Sequence, residues 1–475
     1  MVQFPAMTAP STVPAWVPAD TADQALVHID FDGGRDDIAP LTWGQRAVWK
    51  SVVEFTDHSW LNFRRVLAVP RRASADVASV GRTIAALMSR HGSLRTRLRL
   101  VDGERRQVAS SRGRLPVILV PAGDDDEATA HAWRDRLGSV PYDFAEEWPL
   151  RIGFVVVDDR VRYVVVVISH AAADLHACEI LVRDLRLLLL RGSVPTPPGL
   201  QSLDVARREA GDARHSERAV ALWMREYARL PESMFPAVGP PLAPRFRRAQ
   251  LESPAVNAAA RLIAARHEVS TSTVLLAATA TLVARWTGHD VCGVFTMSNN
   301  RFPTGYADAI SKLNQLGLFV IDLADRPTFA EIVPRTWQGA LRAYQHAYYD
   351  PTEMDAALRR AGRPCGSGLE PWCYFNDLRL PDTDLASEQP LDEAALRASL
   401  TDSRLHWPET LERFAWRFRL QVMDVPGAIG LSLTTDTSYL PPPEAERFLR
   451  EFEALVVNAA FDDLSWPWTS STHLS

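Results

Sequence analysis

The sequence predicts an α/β protein of two lobes of broadly similar size, each a sheet with helices packed on it. Three observations predict it. Apolar strand-like runs alternate with helical patterns along most of the chain. At 475 residues the chain is too long for one ordinary core, so two to three domains are expected. A stretch rich in Pro and Gly, "SVPTPPGLQS" at 193–202, divides it. The resulting division is a loose leader over 1–24, an N-terminal lobe over 25–192, a linker over 193–215, a C-terminal lobe over 216–465 and a flexible tail over 466–475.

In the first lobe, "ALVHIDF" (25–31) alternates and ends in a "DGG" turn, so it reads as a strand. "PLTWGQRAVWKSVVEF" is a helix that Thr42 can cap, with Gln45 at the capping-box position. A helix with Leu87 and Met88 on its apolar side stops near His91 and Gly92, and a strand through Leu98 and Leu100 follows. "RIGFVVVDDRVRYVVVVIS" is a hairpin turning at Asp158 and Asp159, whose second strand is apolar on both faces, as a central strand should be. The next helix, "LHACEILVRDLRLLLLRG", ends at Gly192. In the second lobe a helix near 216–230 precedes the strand "FRRAQLE", the helix "TSTVLLAATATLVARWTG" and the strand "DVCGVFTMS". "LGLFVIDLA", "PWCYFNDLRL", "FAWRFRLQVMDV" and "AIGLSLTTDT" read as further strands, and "PPEAERFLREFEALVVNAA" as a closing helix.

The formal charge is −6, and no basic stripe with interleaved aromatics is present, so nothing points to nucleic acid. Lysine occurs only at Lys50 and Lys312, a bias that reads as base composition. The four cysteines, Cys178, Cys292, Cys365 and Cys373, form no CxxC pair, which argues against a zinc or redox motif and fits a reducing cytoplasm. No apolar run is long enough to span a bilayer, and the N-terminus lacks the pattern of a signal peptide.

The chemistry-bearing stretch is "VVVVISHAAADLHA" (164–177), where a buried-looking strand ends in Ser169, His170 and, four positions on, Asp174. Three readings stand side by side. Asp174 can be an ordinary helix N-cap, with His170 a satisfied strand-end histidine. His170, Asp174 and His176 can be metal ligands, although the strand-to-helix break works against a common focus. His170 can be a general base, with a carboxylate fixing the ring or its loop. A nucleophilic triad fits less well, since there is no GxSxG elbow and neighbouring Ser169 and His170 should face opposite ways.

"SHAAADL" resembles the HHxxxDG motif of nonribosomal peptide synthetase condensation domains, members of the chloramphenicol-acetyltransferase-like superfamily. Other segments match in order. "PLTWGQRAVW" is similar to the opening motif, with Thr42, Gln45 and Trp49 in place. "RHGSLRTRL" resembles the RHxxLRT segment, and "YDFAEEWPLRIGF" the FDLxxGPLLR stretch through Asp143, Phe144, Pro149, Leu150 and Arg151. "NNRFPTGYADAISKLNQLGLFVIDL" resembles the later NR…IGxFxNTLPLR segment through Asn300, Arg301, Gly317 and Phe319. Together the resemblance covers roughly 25–460.

The resemblance implies a V-shaped pseudo-dimer of two chloramphenicol-acetyltransferase-like lobes with a tunnel between them. It implies that His170 is the catalytic histidine, a general base or positioning residue for an amine or hydroxyl attacking a thioester. Asp174 is implied to be structural, with Arg301 as its candidate partner and Arg95 a weaker candidate for the same network. Substrates are implied to arrive on the phosphopantetheine arms of acyl or peptidyl carrier proteins, with no tightly bound cofactor and no metal; a small-molecule amine or alcohol acceptor is an alternative. Two tunnel positions depart from the motif: Ser169 replaces the first histidine and Leu175 the glycine. A leucine there would narrow the tunnel, shift the helix start or block one carrier arm. With no adenylation or carrier segment in view, a free-standing cytoplasmic monomer working in trans is expected. The function expected first is acyl transfer in secondary metabolism. The alternative is a catalytically silent module that recruits partner enzymes.

Overall fold

Each of the two main sheets is built from strands whose successive side chains serve different layers. The computed structural model describes residues 16–17, 25–55, 57–70, 73, 75–363, 373–379 and 392–468. They divide into two units: 1–213 with 299–314, and 214–298 with 315–475. The fold is mixed α/β in both.

Unit 1 contains β1 (Ala25–Asp32), β2 (Asp37–Pro40), α1 (Trp43–Glu54), β3 (Asn62–Ala68), α2 (Val77–Arg90), β4 (Thr96–Val101), β5 (Glu104–Ala109), β6 (Arg112–Pro121), α3 (Asp126–Gly138), β7 (Leu150–Val157), β8 (Arg160–Ser169), α4 (Leu175–Arg191) and α5 (Ser202–Ala210). Its larger sheet runs β1-β6-β7-β8-β3, and its smaller one β2-β5-β4. Strand β8 behaves as its composition demands. Val164, Val166 and Ile168 enter the core shared with α2 and α4, while Val165 and Val167 enter the core that includes Trp133 and Leu137 of α3. Each such buried valine contributes about 1.5–3 kcal/mol relative to exposure. The β7–β8 turn uses Asp158 and Asp159 at φ 48° and 60°, the left-handed pair that a tight two-residue hairpin needs. Thr42 and Gln45 form the expected capping box, and Gly192 ends α4 at φ 70°.

The linker expectation is corrected in two ways. Residues 193–215 contain α5, whose first turn is closed by Gln201 and Asp204 and whose Leu203 and Ala206 are buried against β2 and β5. Residues 299–314, assigned from sequence to the C-terminal lobe, belong to unit 1. Ile310 donates its N–H to the Leu200 carbonyl, Ser93 donates to the Ile310 carbonyl, and Thr42 donates to the Lys312 carbonyl. Close backbone approach makes this possible. A Cβ on Gly44 would stand 2.0 Å from the Lys312 carbonyl oxygen, and one on Gly199 would stand 1.9 Å from that of Asp308. Gly44→Ala is therefore expected to lower unfolding stability by about 1–3 kcal/mol, since the clash meets backbone rather than a side chain that can turn away. A denaturant titration of wild type and variant measures it.

Unit 2 contains α6 (Ala213–Tyr227), β9 (Phe246–Ser253), α7 (Pro254–His267), α8 (Thr271–Thr287), β10 (Val291–Ser298), β11 (Gln315–Asp322), α9 (Phe329–Gln345), α10 (Pro351–Arg360), β12 (Cys373–Asp377), α11 (Glu393–Ala398), β13 (Arg404–Leu411), β14 (Phe418–Val425), β15 (Ala428–Asp436) and α12 (Pro442–Ala459). Its sheet runs β11-β10-β12-β14-β15-β9-β13. One face supplies Val294, Phe319, Phe375, Leu420, Leu433 and Leu251 to the main core with α7, α8 and α12. On the other face Phe295, Leu318 and Tyr374 meet Trp223 and Tyr227 of α6 and Met354 of α10.

Most of the expected leader and tail lies outside the described residues, but Trp16 and Trp468 are not loose. Trp16 is buried beside Trp133, and Trp468 is buried with its indole N–H donated to the Pro327 carbonyl. Large rings removed from water at so low an entropy cost anchor the ends. Cys178, Cys292 and Cys373 are buried free thiols, and Cys365 lies outside the described residues. No described helix is long and apolar enough to cross a membrane.

Candidate active site

His170 stands in the turn between β8 and α4, partly buried, its ring edge-on to Phe63 of β3 at 4.9 Å between centroids. Its Nδ1 lies 2.9 Å from the Ala173 carbonyl oxygen. A carbonyl only accepts, so Nδ1 carries the proton and the neutral ring keeps its lone pair on Nε2. Burial, helped by the positive charge of Lys312, lowers the His170 pKa to about 4. The imidazole is thus neutral at physiological pH and can accept a proton.

Asp174 caps α4 and is 1% exposed. Its Oδ1 accepts from Ala177 N at 2.8 Å and Arg301 Nη2 at 2.7 Å, and its Oδ2 from Leu313 N at 3.1 Å and Asn314 N at 3.3 Å. Arg301 in turn donates through Nη1 to the carbonyls of Tyr306 and Ala309 at 3.0 and 2.9 Å. The pair therefore clamps 299–314 onto the start of α4. Asn300, at φ 53°, closes the same segment by donating to the Leu313 carbonyl. With all of these donors on its carboxylate, Asp174 is not free to ligate, and among the described residues no cluster of three or more His, Cys, Asp or Glu could hold a metal ion.

Arg95 does not join this network. It donates to the Met88 and Ser110 carbonyls, fastening the end of α2 to the turn between β5 and β6. His91 closes α2 and contacts Asp184 through Nε2. Ser169 is buried, and its Oγ accepts a long bond, 3.3 Å, from Ala171 N. A cavity of about 10 Å³ lies beside it, between Gln45, Thr96, Tyr142 and Glu147, enough for roughly one water. Leu175 is the first residue of α4 and half-buried. The helix begins directly after Asp174.

Two residues were not singled out as site groups from sequence. Lys312, one of only two lysines, is buried, and its Nζ donates to the Asn314 carbonyl. Burial lowers its pKa to about 8, against the raising influence of Asp174. Its scarcity was the available signal. Gln45, read as a helix cap, also donates to the Ala171 carbonyl at 3.0 Å and to Gln107, so it props the turn that carries His170.

The chain is similar to several known proteins. It is 27% identical over 339 residues to the isonitrile lipopeptide synthase of Mycobacterium tuberculosis, covering 65% of this chain and 13% of that protein. The chain thus spans about an eighth of that relative's length. Among solved structures, the condensation domain of the monacolin K polyketide synthase MokA superposes with a TM-score of 0.69 at 17% identity, covering 90% of this chain and 99% of that one. The X-domain, solved in complex with OxyB from teicoplanin biosynthesis, superposes with a TM-score of 0.64 at 19% identity, covering 90% and 94%. At these identities the likeness is one of fold, the two-lobed chloramphenicol-acetyltransferase-like fold. The condensation-domain family model matches residues 35–461, and the chain belongs to that family, one of condensation-type acyl transfer in secondary metabolism.

Proposed function

We propose that this chain forms an amide or ester bond between an acyl or aminoacyl group, held as a phosphopantetheine thioester on a carrier protein, and an amine or hydroxyl acceptor. The observation that carries the reading is the His170 tautomer: Nδ1–H is spent on the Ala173 carbonyl, and Nε2 is left bare on a neutral ring. The acceptor proton passes to Nε2 as the acceptor attacks the thioester carbonyl. Collapse of the tetrahedral adduct breaks the C–S bond, and the imidazolium returns its proton to the departing thiolate. Asp174 and Arg301 hold the turn and helix start that present His170. The phosphopantetheine arm enters as part of the substrate, and the carrier acts in trans on a monomer. Leu175 narrows the approach to His170.

A second reading, recruitment of partner enzymes without catalysis, is favoured by Ser169 and Leu175 standing where the motif has His and Gly. A structural relative of this fold, the teicoplanin X-domain, was solved in complex with another protein of its biosynthesis.

The deciding experiment incubates the chain with acyl- and aminoacyl-pantetheine thioesters, free and on carrier proteins, and a panel of amines and alcohols, read by mass spectrometry. Product that depends on His170 supports acyl transfer and names the bond. Equal background with wild type and His170→Ala across the panel sinks it in favour of recruitment.

The pH profile gives an independent check. The active imidazole is the neutral one, so the rate falls as pH drops through its pKa. With that pKa lowered to about 4, the rate is expected to stay level through pH 6.5, where an ordinary histidine would already be half protonated. Lys312→Met removes a positive charge that disfavours the imidazolium, so the acid limb should move upward. A limb already centred at 6.5 in wild type would contradict the site as described.

A further inference from the structure

We propose that the second face of the unit 2 sheet carries a binding site for an oxyanion, a carboxylate or a phosphate group, gripped between the guanidinium groups of Arg419 and Arg248 above the hydroxyl of Thr434. The site follows from register. Tyr374 of β12 pairs with Arg419 of β14, Arg419 with Thr434 of β15, Thr434 with Arg248 of β9, and Arg248 with Glu409 of β13. Directly paired residues share a face. One chain neighbour of each, Leu420, Leu433 and Ala249, points into the main core, so this row points the other way. Two strand spacings place the Arg419 and Arg248 backbones about 10 Å apart, with the short threonine between them.

Toward β10 this same face is covered by aromatic packing, Phe295 and Tyr374 against Trp223 and Trp416. At β14 the composition changes from apolar to polar. Arg419, Thr434 and Arg248 take over, and one pleat further on Gln421, Ser432 and Gln250 form a second polar row.

These polar groups are left wanting. Thr434 is 0% exposed, and its Oγ1 has no hydrogen-bond partner among the described residues. The buried Nε atoms of Arg419 and Arg248 have none either. A buried donor without an acceptor is rare and costly, and an unfilled ligand position is one cause. Arg248 forms an ion pair with Glu409 at 2.7 Å. Arg419 has no such carboxylate among the described residues; its guanidinium lies over the Phe414 ring at 4.2 Å. Burial and the neighbouring Arg248 charge lower its pKa to about 10, the response of a cation short of a counterion. Two guanidiniums against one carboxylate leave a single positive charge, which one monoanion balances. Planar forks matched to two-oxygen acceptors are the geometry that carboxylate and phosphate recognition uses.

The test uses the full chain at fixed ionic strength, with chloride replaced stepwise by acetate in one arm and inorganic phosphate in the other. Thermal unfolding and titration calorimetry are the readouts. A ligand that binds only the folded state raises the midpoint. At least one anion is expected to raise it beyond chloride, the acetate arm more strongly because a monoanion matches the charge. Arg419→Met and Arg248→Met should abolish the response. Arg419→Lys, which keeps the charge and loses the fork, should weaken binding by about tenfold. This last variant also guards against a fold defect in the methionine variants. No response beyond chloride in wild type overturns the proposal, as does a response that survives both methionine substitutions. A larger phosphate arm retains the site and assigns it to phosphate.

Discussion

Arg301→Met is expected to lower the unfolding free energy by about 3–5 kcal/mol, the usual penalty for stripping one member from a buried ion pair. Asp174 and Arg301 side chains are 2% and 5% exposed, so neither finds water when its partner leaves. Three backbone N–H groups would still reach the Asp174 carboxylate, but they bring no compensating charge. The 299–314 segment would also lose the carbonyl contacts that Arg301 Nη1 makes. Asp174→Asn should cost less than Arg301→Met, because the amide oxygen still accepts although its nitrogen repels the donors. The double variant should lose less than the two single losses added together, since the second change removes a charge already unpaired. Urea titrations of the four proteins supply the cycle. A single-variant loss below about 1 kcal/mol, the size of an exposed pair, would show that this contact does not hold the segment.

His170→Ala is the second large effect, this time on rate. Product formation should fall by about a hundredfold to ten-thousandfold, the range that a positioned general base supplies. Stability should change little by comparison. The substitution removes the Ala173 hydrogen bond, worth about 0.5–1.5 kcal/mol, and the edge contact with Phe63. Binding of the loaded carrier should persist, so the loss should appear in a single-turnover rate at saturating donor. A rate within a few-fold of wild type would remove His170 from proton transfer.

Local chemistry made much of this fold readable. Thr42 with Gln45, Gly192, and the Asp158–Asp159 pair each carry their own instruction, because a cap or tight turn is decided within a few residues. Strand β8 was legible because a run of valines buried on both faces has few other homes. Helix α7 was passed over although Ser253 and Pro254 form a proper start; its alanine-rich face lacks the large residues that mark a period. Helix α5 was hidden by the Pro-rich run ahead of it. At the site, Asp174 and Arg301 could be paired only through resemblance, since 127 positions separate them and no local rule joins them. The burial of Lys312 was not legible: its scarcity marks it, but the segment that carries it packs against Gly44, which is remote in sequence.

That segment also sets an order of events during synthesis. Asp174 leaves the ribosome well before Arg301, Leu313 and Asn314. In the interval its carboxylate can have only the Ala177 N–H among its four final donors, and the surfaces that Gly44 and Gly199 keep open have nothing to receive. N-terminal domains commonly finish folding first. Here the N-terminal unit cannot, because β9, α7, α8 and β10 must all be translated before its last piece arrives. The turn that carries His170 therefore reaches its final state late, once much of the other unit has been made, and a nascent chain halted before residue 299 would carry His170 without the Asp174–Arg301 pair that fastens it.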